Sequence, residues 1–174
     1  RQLGFTNAQK PDSQDVCFVR DRNKNGFLRR ELKIADNPGP VTDAQGNILG
    51  THQWLLGYTI GQREGLGVAV GKPLYVVAID QPNNRLIVGS RQELLSPTLI
   101  AERVNWVSMA RPAGPVRVAA KIRSRHEPAF ALAHPASDGR VRVEFEEPQS
   151  AITPGQAVVF YEGDAVLGGG WIAK

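Results

Sequence analysis

A single thiol stands in this chain. Cys17 sits in the apolar island Val16-Cys17-Phe18-Val19. A lone cysteine between apolar neighbours is commonly an inert core residue. Lys10, Arg20, Arg22 and Lys24 lie close in sequence, and cations beside a thiol lower its pKa and supply thiolate near neutral pH. The pattern alone leaves both readings open. The second candidate is charge. Between Arg103 and His126 there is no acidic residue, yet Arg103, Arg111, Arg117, Lys121, Arg123 and Arg125 all fall there. Residues 116–125 alternate almost strictly, which predicts a half-buried strand. Val116, Val118, Ala120 and Ile122 then face a core, and Arg117, Lys121, Arg123 and Arg125 share the other face. From first cation to last this face would span roughly 26 Å, enough to follow several phosphates of a nucleic acid. A merely solvated strand face is the plainer alternative. The acidic Glu144, Glu146 and Glu147 lie in a separate segment.

Other chemistries find less support. A Cys–His hydrolase needs a histidine beside the thiol, and His52, His126 and His134 sit in no partner motif. One Cys and three scattered His offer no pair at zinc-ligand spacing, so no metal site is expected. Gly65, Gly67 and Gly71 form a glycine-rich loop, but a dinucleotide fingerprint needs a strand before it and a helix after it. No phosphate-cradling G-x-x-x-x-G-K-[ST] motif occurs. Glu146 and Glu147 are adjacent, hence opposed across a strand, and make a poor acid/base pair.

The elements that must position these residues are mainly β. The chain has 174 residues with 41% hydrophobic and 22% charged, a net charge of +4, 18 Gly and 12 Pro, a globular composition with many tight turns. Phe27, Leu28 and Leu32 could line a short helix around residues 27–34, stopped by Asn37-Pro38-Gly39-Pro40. Residues 74–80 and 85–89 flank Gln81-Pro82-Asn83-Asn84 and predict a hairpin. Longer strands follow at 116–125, 129–133, 141–145, 157–161 and 165–172. Thr153-Pro154-Gly155-Gln156 suits a type II turn with Gly at its positive-φ position. The expected fold is a small mixed β domain followed by an antiparallel β-barrel, with a boundary near residues 92–100. The longest apolar run, residues 74–79, is too short for a membrane span, so no membrane partner is expected. One cysteine rules out an intrachain disulfide and suits a reducing, cytoplasmic setting. The start at Arg1, with Met109 the only methionine, suggests a piece of a longer protein.

Linked segments carry a more specific signal. They are Asp12-Ser13-Gln14-Asp15-Val16-Cys17-Phe18, Leu49-Gly50-Thr51-His52-Gln53, Tyr58-Thr59-Ile60-Gly61-Gln62-Arg63-Glu64-Gly65-Leu66-Gly67 and Val104-Asn105-Trp106. Ala120-Lys121-Ile122-Arg123, residues 147–156, Val159-Phe160-Tyr161 and Leu167-Gly168-Gly169-Gly170 continue the series. In this order, over nearly the whole chain, they resemble the bacterial-type tRNA-specific 2-thiouridylases.

The resemblance implies a C-terminal portion without the family's ATP pyrophosphatase domain, whose Ser-Gly-Gly-x-Asp-Ser loop and first catalytic cysteine are not in this sequence. Residues 1–22 would end the catalytic region, 23–95 form a small central domain, and 96–174 a barrel resembling that of translation factors. Cys17 aligns with the second catalytic cysteine, which carries sulfur as a persulfide to C2 of an adenylated wobble uridine. The first cysteine then releases the product by forming a disulfide with it. The family's tRNA contacts align with Arg123, Ser124 and Gln156. Ser124 replaces a Tyr, which removes stacking and leaves hydrogen bonding, and His126 stands where Gln is frequent. Arg125, Lys121 and Arg117 join as weaker contacts from the alternation alone. The implied partners are tRNAs for Lys, Glu and Gln, and a sulfur donor, either a cysteine desulfurase or a relay carrier. No cofactor is expected on this portion; ATP with Mg belongs to the missing domain, so the isolated chain should bind tRNA weakly and catalyse nothing. A stand-alone nucleic-acid-binding barrel with an incidental thiol, and a Cys-dependent hydrolase, are the rival readings.

Overall fold

The computed structural model describes residues 24–32, 35–124 and 126–173. Two compact units divide the chain, Arg1–Asp36 and Asn37–Lys174. In the first, helix α1 spans Lys24–Leu32, starting earlier than the apolar spacing indicated. Its last turn holds Arg29 and Arg30, where cations complement the helix dipole. Arg29 Nη2 also meets Asp36 Oδ1 at 2.7 Å.

The second unit begins with a four-stranded sheet in the order β2-β1-β4-β3, built from β1 (Gly39–Thr42), β2 (Ile48–His52), β3 (Tyr75–Asp80) and β4 (Arg85–Gly89). The hairpin β3–β4 forms as the turn residues predict. Asn84 closes it with φ 48°, a left-handed conformation that Asn tolerates, and its N–H donates to Gln81 O at 3.1 Å. Strand β1 is a correction: in the sequence Asn37-Pro38-Gly39-Pro40 reads only as the end of the helix, whereas Gly39 and Pro40 open a strand. Gly39 enters the sheet because a Cβ there would collide with the Asn84 carbonyl and His52 Nε2. Pro40 is tolerated because the parallel pairing to β4 begins one residue later, at Val41↔Leu86. Asn84 Nδ2 holds this corner by donating to Pro38 O at 3.0 Å. Val41, Leu66, Leu74, Val76, Leu86 and Val88 make the core under the sheet. Leu66 reaches it from the glycine-rich loop, whose Gly65, Gly67 and Gly71 all take positive φ with no helix after them.

A closed barrel in the order β10-β5-β8-β7-β6-β9 follows. Its strands are β5 (Leu95–Trp106), β6 (Val116–Lys121), β7 (Ala129–Pro135), β8 (Val141–Ser150), β9 (Ala157–Glu162) and β10 (Ala165–Ile172). Every pairing in it is antiparallel. Leu99, Val118, Ile122, Val143, Val158, Phe160 and Ile172 fill the interior, with Trp106 stacked on Phe160 at 5.6 Å. Strand β5 runs straight through Ser96-Pro97, a pair that reads as a break in the sequence. The register shifts between Ser96 and Thr98, so Pro97 occupies a bulge where no ladder N–H is required. Gly168, Gly169 and Gly170 sit where a Cβ would come within 2.5–2.6 Å of the carbonyls of Asn105, Val158 and Glu102. That glycine run is a packing requirement of the seam strand β10.

Sheet and barrel meet within the second unit. Ala151 N–H donates to Leu94 O at 3.1 Å, and a Cβ on Gly61 would lie 2.9 Å from that of Ala151. Among the described residues, no helix is long and apolar enough to cross a membrane.

Candidate nucleic-acid interface

The alternating pattern of residues 116–122 holds: Val118, Ala120 and Ile122 are buried, while Arg117 points outward. Its extent does not. Strand β6 ends at Lys121, and the chain then turns, with His126 N–H donating to Arg123 O at 3.1 Å. The continuous basic rod of 26 Å proposed from the alternation is therefore replaced by two separate regions. Ile122, 1% exposed, anchors the start of the turn, so Arg123 and Ser124 are presented beyond the strand, both exposed.

At the upstream end, Arg117 is engaged. Its Nη2 lies 2.8 Å from Glu146 Oε1, and its guanidinium rests 5.4 Å from the Phe130 ring centroid. Glu144, by contrast, is taken by Arg142 of its own strand at 3.1 Å, so Glu146 is the carboxylate that reaches the basic segment. The acidic segment, distant in sequence, thus neutralises part of the basic one, because β7 alone separates β6 from β8 in the barrel. Arg111 is also tied down, donating to the Ala136 carbonyl.

Gln156 comes to the same barrel end as Arg123 and Ser124. Strands β6 and β9 are antiparallel, with Lys121↔Val159 the last pair, so β6 leaves the barrel where Gln156 leads into β9. The turn before it is the expected one: Gly155 takes φ 83° and Gln156 N–H donates to Thr153 O at 3.2 Å. Gln156 O accepts from Ile172 N–H at 2.7 Å. The backbone is fixed while the side chain makes no hydrogen bond among the described residues. This barrel end also carries Ser150 of β8 and Leu95 of β5, which pair, and it is the end that abuts the sheet.

Two cations missed in the sequence join Arg123 there. Arg63, from the loop after Gly61, and Arg91, before the short 3-10 turn Gln92–Leu94, line with Arg123 a cavity of about 400 Å³ also bordered by Tyr75 and Ser150. Arg63 lies inside the segment Tyr58-Thr59-Ile60-Gly61-Gln62-Arg63-Glu64-Gly65-Leu66-Gly67, which is a signal for it; Arg91 carries no local signal. Nearby, His126 titrates below the ordinary imidazole value, first because burial disfavours its charged form and then because Arg123 repels the proton, with Gln149 partly offsetting both through a hydrogen bond.

The histidines stand in separate surroundings. His52 is buried in the sheet with Nε2 donating to Asn84 O at 3.0 Å, and His134 lies 3.5 Å from Glu144 on the barrel. No group of three metal-ligating side chains occurs among the described residues. Cys17 and Arg125 lie outside the described residues.

Comparison with known proteins adds a second line. Residues 25–90 match the tRNA methyl transferase PRC-barrel domain family, and residues 96–172 match the aminomethyltransferase beta-barrel domain family. The chain is 48% identical over 172 residues to the tRNA-specific 2-thiouridylase MnmA of Acetivibrio thermocellus, covering 99% of this chain and 48% of that protein. It is 46% identical over 174 residues to the protein of the same name from Halothermothrix orenii, covering 100% and 49%. With that of Koribacter versatilis the figures are 44% over 174 residues, covering 97% and 47%. The chain spans about half the length of these relatives.

Proposed function

The chain belongs to the tRNA-specific 2-thiouridylase family, and from that premise we propose that it is part of an ATP-dependent tRNA sulfurtransferase, to which it contributes a persulfide-carrying cysteine and a tRNA-binding barrel end. The observation that carries this reading is identity of 44–48% spread over nearly the whole chain, a span that includes Cys17. Arg123, Ser124 and Gln156, gathered at one barrel end, are the tRNA contacts, with Lys121, Arg125 and Arg117 as weaker ones. Residues 1–22 close the catalytic region, and the two folded parts after it serve binding.

The chemistry balances on this assignment. A sulfur donor loads Cys17 as a persulfide. Its terminal sulfur attacks C2 of the uridine, activated there by adenylation, and AMP leaves with the C2 oxygen. A C2–S–S–Cys17 link results. A second cysteine thiolate, from the part of the relatives outside this chain, attacks the Cys17 sulfur; the link breaks, a disulfide joins the two cysteines, and the transferred sulfur stays on the base as the 2-thiocarbonyl. Each exchange needs an accessible thiolate-like sulfur. ATP with Mg is used by that other part, so this chain alone binds tRNA weakly and turns nothing over. The substrates are the tRNAs for Lys, Glu and Gln, the donor is a cysteine desulfurase or relay carrier, and the setting is the cytoplasm.

Replacing Cys17→Ser in the full-length protein tests the assignment. Thiolation of tRNA is expected to vanish, together with the added mass of roughly 32 Da for one sulfur after incubation with a desulfurase. Unchanged thiolation would leave the stand-alone barrel with an incidental thiol as the better account.

A further inference from the structure

We propose that Arg63, Arg91 and Arg123 form one cleft that grips the sugar–phosphate backbone of bound RNA where the sheet meets the barrel. This rests on the reading that the barrel end binds tRNA, and adds to it a contribution from the sheet side. The three arginines come from segments far apart in sequence and line a single cavity of about 400 Å³. No Asp or Glu borders it.

Four other arginines of this unit are paired: Arg85, Arg117, Arg140 and Arg142 each meet a carboxylate within 2.6–3.1 Å. Arg111 donates to a backbone carbonyl instead. Arg63, Arg91 and Arg123 are exposed and make no ion pair among the described residues. Crowding three cations without a counter-charge works against folding and favours an anionic ligand. Guanidinium groups suit phosphate, which they meet in bidentate fashion.

The backbone beneath each charge is fixed. Gln62 is spent on holding its loop: its N–H donates to Thr59 O at 3.0 Å, its carbonyl accepts from Val76 N–H at 2.9 Å, and its side chain bonds Thr59 N at 3.1 Å and Glu64 O at 2.9 Å. Arg91 precedes a turn anchored by the buried Leu94, whose N–H donates to Arg91 O at 3.3 Å. Arg123 follows buried Ile122. Such preorganisation leaves only the side-chain heads to be ordered on binding.

The cleft continues beyond one phosphate. Arg63 also borders a neighbouring cavity of about 360 Å³, walled by the glycine-rich loop and by Lys72. A track from Lys72 through Arg63 to Arg91 and Arg123 fits a run of backbone phosphates rather than a single small anion. Exposed groups of this kind contribute through counterion release, independent of base sequence.

The test measures affinity of the full-length protein for unmodified tRNA across a salt series. Arg63→Gln and Arg91→Gln are each expected to lower the magnitude of the slope of log K against log salt by about 0.7–0.9, and to weaken binding about threefold to tenfold at low salt. Arg63→Lys should keep the slope, and Arg140→Gln, whose charge is paired with Asp138, should leave it unchanged. The thermal midpoint should hold or rise in Arg63→Gln and Arg91→Gln, which no purely structural role would give. If Arg123→Gln lowers the slope while Arg63→Gln and Arg91→Gln do not, the shared cleft is wrong and tRNA binding at the barrel end stands. A flat slope in the unaltered protein overturns both.

Discussion

Replacing Gly61 by Ala probes the joint on which the site is built. Gly61 holds φ 85°, where a side chain costs about 1–2 kcal/mol. The new Cβ would lie 2.9 Å from that of Ala151, well inside the optimum carbon–carbon separation of roughly 3.5–4.0 Å. The loop has little room to retreat, because Gly61 N–H donates to Val76 O at 2.8 Å and Gln62 O accepts from Val76 N–H at 2.9 Å. Overpacking of this kind adds about 1–3 kcal/mol, so a total near 3 kcal/mol is expected. For a chain of this size that lowers Tm by about 6–12 °C. Ala151 itself takes φ 53°, so Ala151→Gly relieves one left-handed residue and should be close to neutral. In that background Gly61→Ala should cost only its backbone share, leaving a coupling of about 1–3 kcal/mol between the two sites. Denaturant and thermal unfolding of the four proteins in the cycle give the answer. A cost equal in both backgrounds to within about 0.5 kcal/mol would show that the two Cβ positions do not meet. A rise in Tm for Gly61→Ala would refute the conformational argument as well.

Three further outcomes follow from the geometry. His126 is depressed below its ordinary value of 6.5 by burial and by Arg123. The unfolded chain therefore takes up the proton first, so the associated stability is complete above about pH 6.5 and is lost as pH falls through the folded value. His126→Gln should flatten the fall of Tm over this window, and Arg123→Gln should raise the His126 titration midpoint seen by NMR; an unaltered midpoint would mean the two side chains do not interact. Gly169→Ala sets a Cβ 2.6 Å from the Val158 carbonyl at the barrel seam, and a loss of about 1–3 kcal/mol in equilibrium unfolding is expected, whereas a neutral effect would mean β9 and β10 are not so closely apposed.

Much of the scaffold was legible in local chemistry. The hairpin at Gln81–Asn84 and the turn at Thr153–Gln156 declare themselves because Asn and Gly alone settle their positive φ angles. The inward face of β6 shows in its alternation. What stayed hidden depends on partners distant in the chain. Pro40 and Pro97 look like breaks until the parallel partner of β1 and the bulge of β5 are known. Arg117 looks like free charge until the barrel brings Glu146 beside it. At the site, Arg123, Ser124 and Gln156 were reachable through resemblance and Arg63 through its motif. Arg91 was not, since nothing around it distinguishes a surface arginine from a cleft wall.

The closure of the barrel has a consequence for how the molecule comes into being. Strand β10 pairs with both β9 and β5, so the earliest barrel strand to leave the ribosome waits for the last before its free edge is covered. Until then β5, twelve residues long, offers unpaired amides and carbonyls to any passing chain. Left-handed Arg103, where the register with β10 also shifts, interrupts that edge, making the nascent strand a poor template for a stranger while it remains a good one for β10.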